Sequence, residues 1–156
     1  DPAKGRWFVP GALEAEDLGI LGYRSVKGEA GRPERRLLMP NQSGDHMLAF
    51  DSGGAGEVSL AEPAEKEGVY TIKVHYLRAP DYGVVRLAVN GAPAGEPIDL
   101  HRAFVEMFPR EVWPPQEYVY KDVRLKAGMN TFTFAVNEKN AESTGHKLGV
   151  DCLILE

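Results

Sequence analysis

The residues with the most chemistry to offer lie at the two ends of the chain. Glu14 and Glu16 stand two apart in Leu13-Glu14-Ala15-Glu16-Asp17-Leu18. Asp151 interrupts the apolar run Leu148-Gly149-Val150-Asp151-Cys152-Leu153-Ile154-Leu155. Successive side chains of a strand point to opposite faces, so the spacing predicts that Glu14 and Glu16 project from one side. Carboxylates held this way suit a hard cation that takes several oxygen ligands, namely calcium. A charge inside an apolar strand is costly unless it is paired or metal-bound, which adds Asp151 to the set. If the first and last strands are neighbours, the three converge and a cation staples the termini together. Spacing alone leaves a second reading open, with Glu14 and Glu16 on a solvated strand face and Asp151 capping a turn.

Elsewhere the patterns that advertise an enzyme fail. Asp51-Ser52-Gly53-Gly54 has the look of a serine-protease nucleophile loop, but Phe50 precedes it and no histidine sits in a matching setting, so a glycine-rich turn is expected. His46, His75, His101 and His146 are scattered, with no pair at the spacing zinc or iron would want. There is no phosphate-cradling glycine loop and no dinucleotide fingerprint. Paired-carboxylate sugar hydrolysis needs a separation in space that a sequence does not supply. The expectation is a protein that is not an enzyme.

Bulk properties narrow the class further. At 156 residues the chain is read as one domain, excised from a larger protein because it begins at Asp1 without a methionine or a signal-peptide pattern. A net charge of -5 argues against a nucleic-acid or anionic-membrane partner. Pro33 and Glu34 break up Arg32, Arg35 and Arg36, so Lys27 to Arg36 is expected to be a polar loop. No apolar run approaches the ~20 residues of a spanning helix. The single cysteine, Cys152, rules out an internal disulfide and is read as a small core residue rather than a nucleophile.

The elements that must position these residues are strands. Gly68 to Leu77 alternates, with Tyr70, Ile72, Val74 and Tyr76 on one face and Thr71, Lys73 and His75 on the other. Val84 to Val89 and Asn130 to Val136 alternate likewise, and Asn90-Gly91 signals a hairpin turn. Further strands are expected at Gly11 to Leu18, Ile20 to Val26, His46 to Phe50, Glu57 to Leu60, Glu96 to Leu100, Glu117 to Leu125 and the C-terminal run. His101 to Pro115 is expected to be irregular. Many short strands with regular turns and almost no helical period predict an all-β, antiparallel β-sandwich of the jelly-roll kind.

With these pieces placed, the chain resembles the jelly-roll carbohydrate-binding modules of families six and thirty-five, galactose-binding-like sandwiches appended to bacterial glycoside hydrolases. The resemblance is carried by Leu13-Glu14-Ala15-Glu16-Asp17-Leu18, Gly68-Val69-Tyr70, Ala79-Pro80-Asp81-Tyr82-Gly83-Val84-Val85, Val89-Asn90-Gly91, Pro97-Ile98-Asp99-Leu100, Leu125-Lys126-Ala127-Gly128-Met129-Asn130 and Leu148-Gly149-Val150-Asp151, in that order. It implies a structural calcium on Glu14, Glu16 and Asp151. It also implies a polysaccharide or oligosaccharide held by loops at one end, where a ring stacks on the sugar face and an amide binds its rim. Trp113 or Tyr118 would supply the ring and Asn137 or Asn140 the amide, with Tyr82, His101 and His146 as rim contacts. A neighbouring catalytic domain and an extracellular or periplasmic setting follow from the same resemblance. Many relatives carry a Trp-Ser-Gly-Gly-type stretch where this chain has Gln42-Ser43-Gly44-Asp45. The missing tryptophan supports an alternative, a structural accessory domain that packs on another domain or subunit and binds no sugar.

Overall fold

The computed structural model describes residues 13–14, 19–37, 46–103 and 115–156. The strands are β1 (Leu13–Glu14), β2 (Gly19–Ser25), β3 (Glu34–Leu37), β4 (His46–Asp51), β5 (Gly56–Ala64), β6 (Gly68–Tyr76), β7 (Val84–Val89), β8 (Ala92–Asp99), β9 (Gln116–Leu125), β10 (Gly128–Glu138) and β11 (Lys147–Leu155). No α-helix occurs among the described residues. One sheet runs β3-β4-β11-β6-β9, with β1 also paired to β11, and the other runs β2-β5-β10-β7-β8. Every pairing between these strands is antiparallel, and the two sheets pack as a jelly-roll sandwich.

The alternating residues fill the space between the sheets. Ile72, Val74 and Tyr76 of β6 face Val85, Leu87 and Val89 of β7 and Phe132, Phe134 and Val136 of β10, all buried. Tyr76 meets Phe134 edge-on at 6.1 Å, a geometry that sets ring edge against ring face. Its buried hydroxyl pairs with that of Tyr120 at 2.7 Å, so neither phenol oxygen is left unsatisfied. The Asn90-Gly91 turn forms as expected, with φ of 50° and 83°, the left-handed pair a two-residue hairpin needs. Buried Asn130 ties this hairpin to the next: its side-chain oxygen accepts from Asn90 and from the Lys126 N–H, and its amide donates to the carbonyls of Lys126 and Gly128.

Two expectations need correction. The polar stretch Lys27 to Arg36 is a loop only in its first part, which includes a 3-10 turn at Gly28–Gly31, because Glu34–Leu37 pairs with β4 as an edge strand. Its ladder partner, not local pattern, makes it a strand, and charge on an open edge discourages pairing with another chain. The short segment expected at Glu96 to Leu100 is the longer edge strand β8, in which Pro93 and Pro97 are tolerated because an edge leaves some N–H positions unused.

One inward position of β5 is a carboxylate. Glu62 is fully buried, neither of its oxygens accepts a hydrogen bond from a described residue, and burial pushes its pKa up to about 7. The folded state therefore keeps the proton while the unfolded chain gives it up near 4.5. Stability from this group is fully present below about pH 4.5 and declines as the pH rises to about 7. The shift corresponds to a loss on the order of 3 kcal/mol across that window. Glu62→Met should flatten the decline and raise the denaturation midpoint at pH 8, measured by urea unfolding at several pH values.

Candidate functional site

The ends of β6, β8 and β10 and the starts of β7, β9 and β11 meet at one end of the sandwich. The connections between them are bound to each other through the backbone. Ala79 bridges His101, the Thr144 N–H donates to the Pro80 carbonyl, and the Ser143 hydroxyl donates to the carbonyls of Pro80 and Tyr82. This lacing makes the end a built surface rather than a set of independent loops.

Across that surface runs one chain of polar contacts. The Asn140 amide donates to Asp99 Oδ2 at 2.8 Å, and the His101 N–H donates to Asp99 Oδ1 at 2.9 Å. Arg78 Nη2 donates to the His101 carbonyl at 2.7 Å and Nη1 to Gln116 Oε1 at 3.3 Å. Gln116 Oε1 also accepts from the Tyr118 hydroxyl at 3.2 Å. The chain starts beside the second sheet and finishes on β9 of the first. Arg78 Nε is buried and donates to no described residue, so the guanidinium keeps donor capacity beyond its bonds to His101 and Gln116. Burial alone would raise the Asp99 pKa. The Asn140 amide, the His101 N–H and the charges of His101 and Arg78 outweigh it and hold the carboxyl below its ordinary value.

The residues singled out in the sequence fall into four groups. Asn140, His101 and Tyr118 belong to this polar chain. Asn137 and His146 flank the turn between β4 and β5: Asn137 Oδ1 accepts from the Gly56 N–H at 3.0 Å, and the His146 carbonyl accepts from Ser52. Tyr82 is buried, 7% exposed, with its hydroxyl 3.9 Å from the Met47 sulfur. It lies so close over β11 that a Cβ at Gly149 would stand 2.7 Å from the Tyr82 oxygen and 2.8 Å from the Met47 sulfur. Its ring packs into the core cluster. Trp113 lies outside the described residues.

Arg78, Asp99 and Gln116 were not singled out in the sequence. Asp99 carried a weak signal, a carboxylate ending a strand two residues before His101. Arg78 and Gln116 carried none, because they meet only through the pairing of β6 with β9.

At the termini, β1 pairs with β11, the condition the carboxylate reading set, with Glu14 in register opposite Cys152. Asp151 is fully buried beside that position, at a break in the β11–β6 ladder. Glu16 lies outside the described residues.

No protein-family model matches the chain, and no curated protein does. Solved structures do. A xanthan lyase from Paenibacillus is similar at a TM-score of 0.77 and 23% identity, over 95% of this chain and 13% of that one. A GH26-CBM35 β-(1,4)-mannanase from Podospora anserina is similar at 0.60 and 14%, over 92% and 26%. A family 35 carbohydrate-binding module from Clostridium thermocellum is similar at 0.56 and 19%, over 91% and 93%. The chain thus spans a small part of the two enzymes and nearly all of the isolated module. At these identities the shared property is the fold.

Because the fold favours ionised Asp99, its contribution to stability is present above the ordinary carboxyl pKa of 3.8 and is lost as the pH falls through the lowered folded value. Asp99→Ala should speed hydrogen exchange at the His101 amide and cost about 1 kcal/mol at neutral pH. Amide exchange followed by NMR checks the first effect, and chemical denaturation the second.

Proposed function

We propose that the protein is a non-catalytic carbohydrate-binding module that holds a polysaccharide or oligosaccharide at the end where Arg78, Asp99, His101, Gln116, Tyr118 and Asn140 are joined. The observation that carries this reading is the continuous polar chain from Asn140 to Tyr118. A sugar presents a rim of hydroxyls and apolar C–H faces, and such a surface offers carboxylate, amide and guanidinium groups beside an aromatic ring. Tyr118 is the described ring, and Trp113 is the second ring in the proposal. The fold shared with a family 35 module and with parts of two carbohydrate-active enzymes supports the reading. The module would act in an extracellular setting by keeping a tethered enzyme close to its substrate.

A structural calcium on Glu14, Glu16 and Asp151 is part of this proposal. It is supported by the β1–β11 pairing and by a buried carboxylate at Asp151 next to the register position of Glu14. Calcium would fix the terminal strands through oxygen ligands and take no part in sugar contact.

One observation favours a second reading, a packing domain that binds no sugar. On β2 and just beyond it, Ile20, Leu21, Tyr23 and Val26 are 41–63% exposed. Leu21 and Tyr23 line a depression of about 370 Å³ together with Arg24 and Glu57 among others. An apolar edge of this kind suits a protein interface.

Affinity electrophoresis on a panel of soluble polysaccharides separates the two. Retardation by at least one glycan, with Kd between ~10 µM and ~1 mM, is expected, and it should be lost in Asn140→Ala and Trp113→Ala. No retardation across the panel would leave the packing domain as the better reading. Independently, calcium at about one hundred times its Kd should add about 2.7 kcal/mol of stability. Thermal denaturation with and without chelator should show that gain vanish in a Glu16→Ala, Asp151→Ala double variant.

A further inference from the structure

Asp151 does not stand among oxygen donors alone. Along β11, Leu148 and Val150 point into the sandwich, and so do Leu153 and Leu155. Two residues instead of one separate these pairs. The ladder with β6 records the same shift, since Val150 pairs with Tyr76 and Cys152 already pairs with His75. Asp151 is the extra residue of a β-bulge, a device that re-aims side chains. The bulge places Asp151 and Cys152 together on the outer side of the sheet, where His75 also projects, between the inward residues Val74 and Tyr76. One ligand atom from each of His75, Asp151 and Cys152 lies within 4.8 Å of the other two.

The cross-strand register extends this group. Glu117 of β9 is opposite His75 of β6, His75 is opposite Cys152 of β11, and Cys152 is opposite Glu14 of β1. Glu117 Oε2 lies 3.0 Å from His75 Nε2. A carboxylate accepting one ring N–H of a histidine leaves the other ring nitrogen as a lone-pair donor, the usual arrangement behind a metal-bound imidazole. Asp151 and Cys152 are fully buried, and the His75 side chain is 15% exposed. Imidazole, thiolate and carboxylate together are a poor set for calcium, which takes oxygen, and a good set for zinc, which takes all three. At zinc's usual bond lengths, tetrahedral donors sit roughly 3.3–3.8 Å apart, so a small contraction of the present spacing closes the site.

We propose that His75, Asp151 and Cys152 bind a divalent cation of the zinc class, with Glu117 as the positioning residue that orients His75. The site shares Asp151 with the calcium reading and is otherwise independent of it. The two are distinguished by residues each uses alone, His75 and Cys152 here and Glu16 there.

Cobalt(II) added to the metal-free protein is the test, because its absorption reports both geometry and sulfur ligation. The expected result is tetrahedral visible bands with a thiolate-to-cobalt charge-transfer band, saturating at one equivalent, displaced by zinc and not by calcium. Cys152→Ser should remove the charge-transfer band. His75→Gln, at a partly exposed position that keeps the fold if the buried cysteine variant does not, should weaken zinc at least as much as the ~10–100-fold expected for Glu117→Gln. Glu16→Ala should leave the cobalt spectrum intact. A spectrum without a sulfur band, or zinc affinity unchanged in His75→Gln, would overturn the proposal. Calcium stabilisation without the cobalt spectrum would sink this site and leave the calcium reading standing. The cobalt spectrum without calcium stabilisation would do the reverse.

Discussion

The constraint on which the rest of the structure depends is the double confinement of β11. It is hydrogen-bonded to β4 and then β1 along one edge and to β6 along the other, and Leu148 to Leu153 are buried without interruption. A strand held on both edges cannot slide, since a one-residue slip would turn every inward side chain outward. The bulge at Asp151 makes that slip once, by design, and both halves of the strand still contribute leucine or valine to the sandwich. The cost is a carboxylate and a thiol placed side by side under cover, and the structure keeps both.

How much of this was legible depends on the range of the interaction. Strands whose alternation is clean, such as Tyr70-Ile72-Val74-Tyr76 and Phe132-Phe134-Val136, could be read directly because one face is buried and the period is two. The Asn90-Gly91 turn was legible for a similarly local reason. β3 was not, because Glu34-Arg35-Arg36-Leu37 has no strand pattern and takes its conformation from β4. Cys152 is the buried small residue its apolar surroundings suggest, but only a bulge, invisible to periodicity, puts it on the sheet face that carries His75.

The loop end shows the same division. Asn140 and Tyr118 were named in the sequence for their amide and their ring, and both side chains lie in the polar chain, whereas His101, named for its imidazole, enters it through its backbone N–H and carbonyl. Arg78 and Gln116 lie 38 residues apart, and Asp99 and Asn140 41 apart. Their meeting is set by how β6 pairs with β9 and by which connections are laced together at that end, and no local signal encodes either. The resulting polar chain joins the two sheets at their rims, where the hydrophobic core can no longer do so.

The contact of Tyr82 with Gly149 has a consequence for how this surface can vary. Gly149 lies inside β11 and is not a member of the polar chain, yet any side chain there would collide with the Tyr82 hydroxyl and the Met47 sulfur. Tyr82 in turn belongs to the connection that carries Pro80 and leads into β7. A replacement at position 149 would therefore be felt as a displaced loop, although the altered residue sits in mid-strand. In a mutational survey, Gly149 should group with the loop residues, and the freedom to diversify should be concentrated at exposed positions such as Ala141 and Glu142.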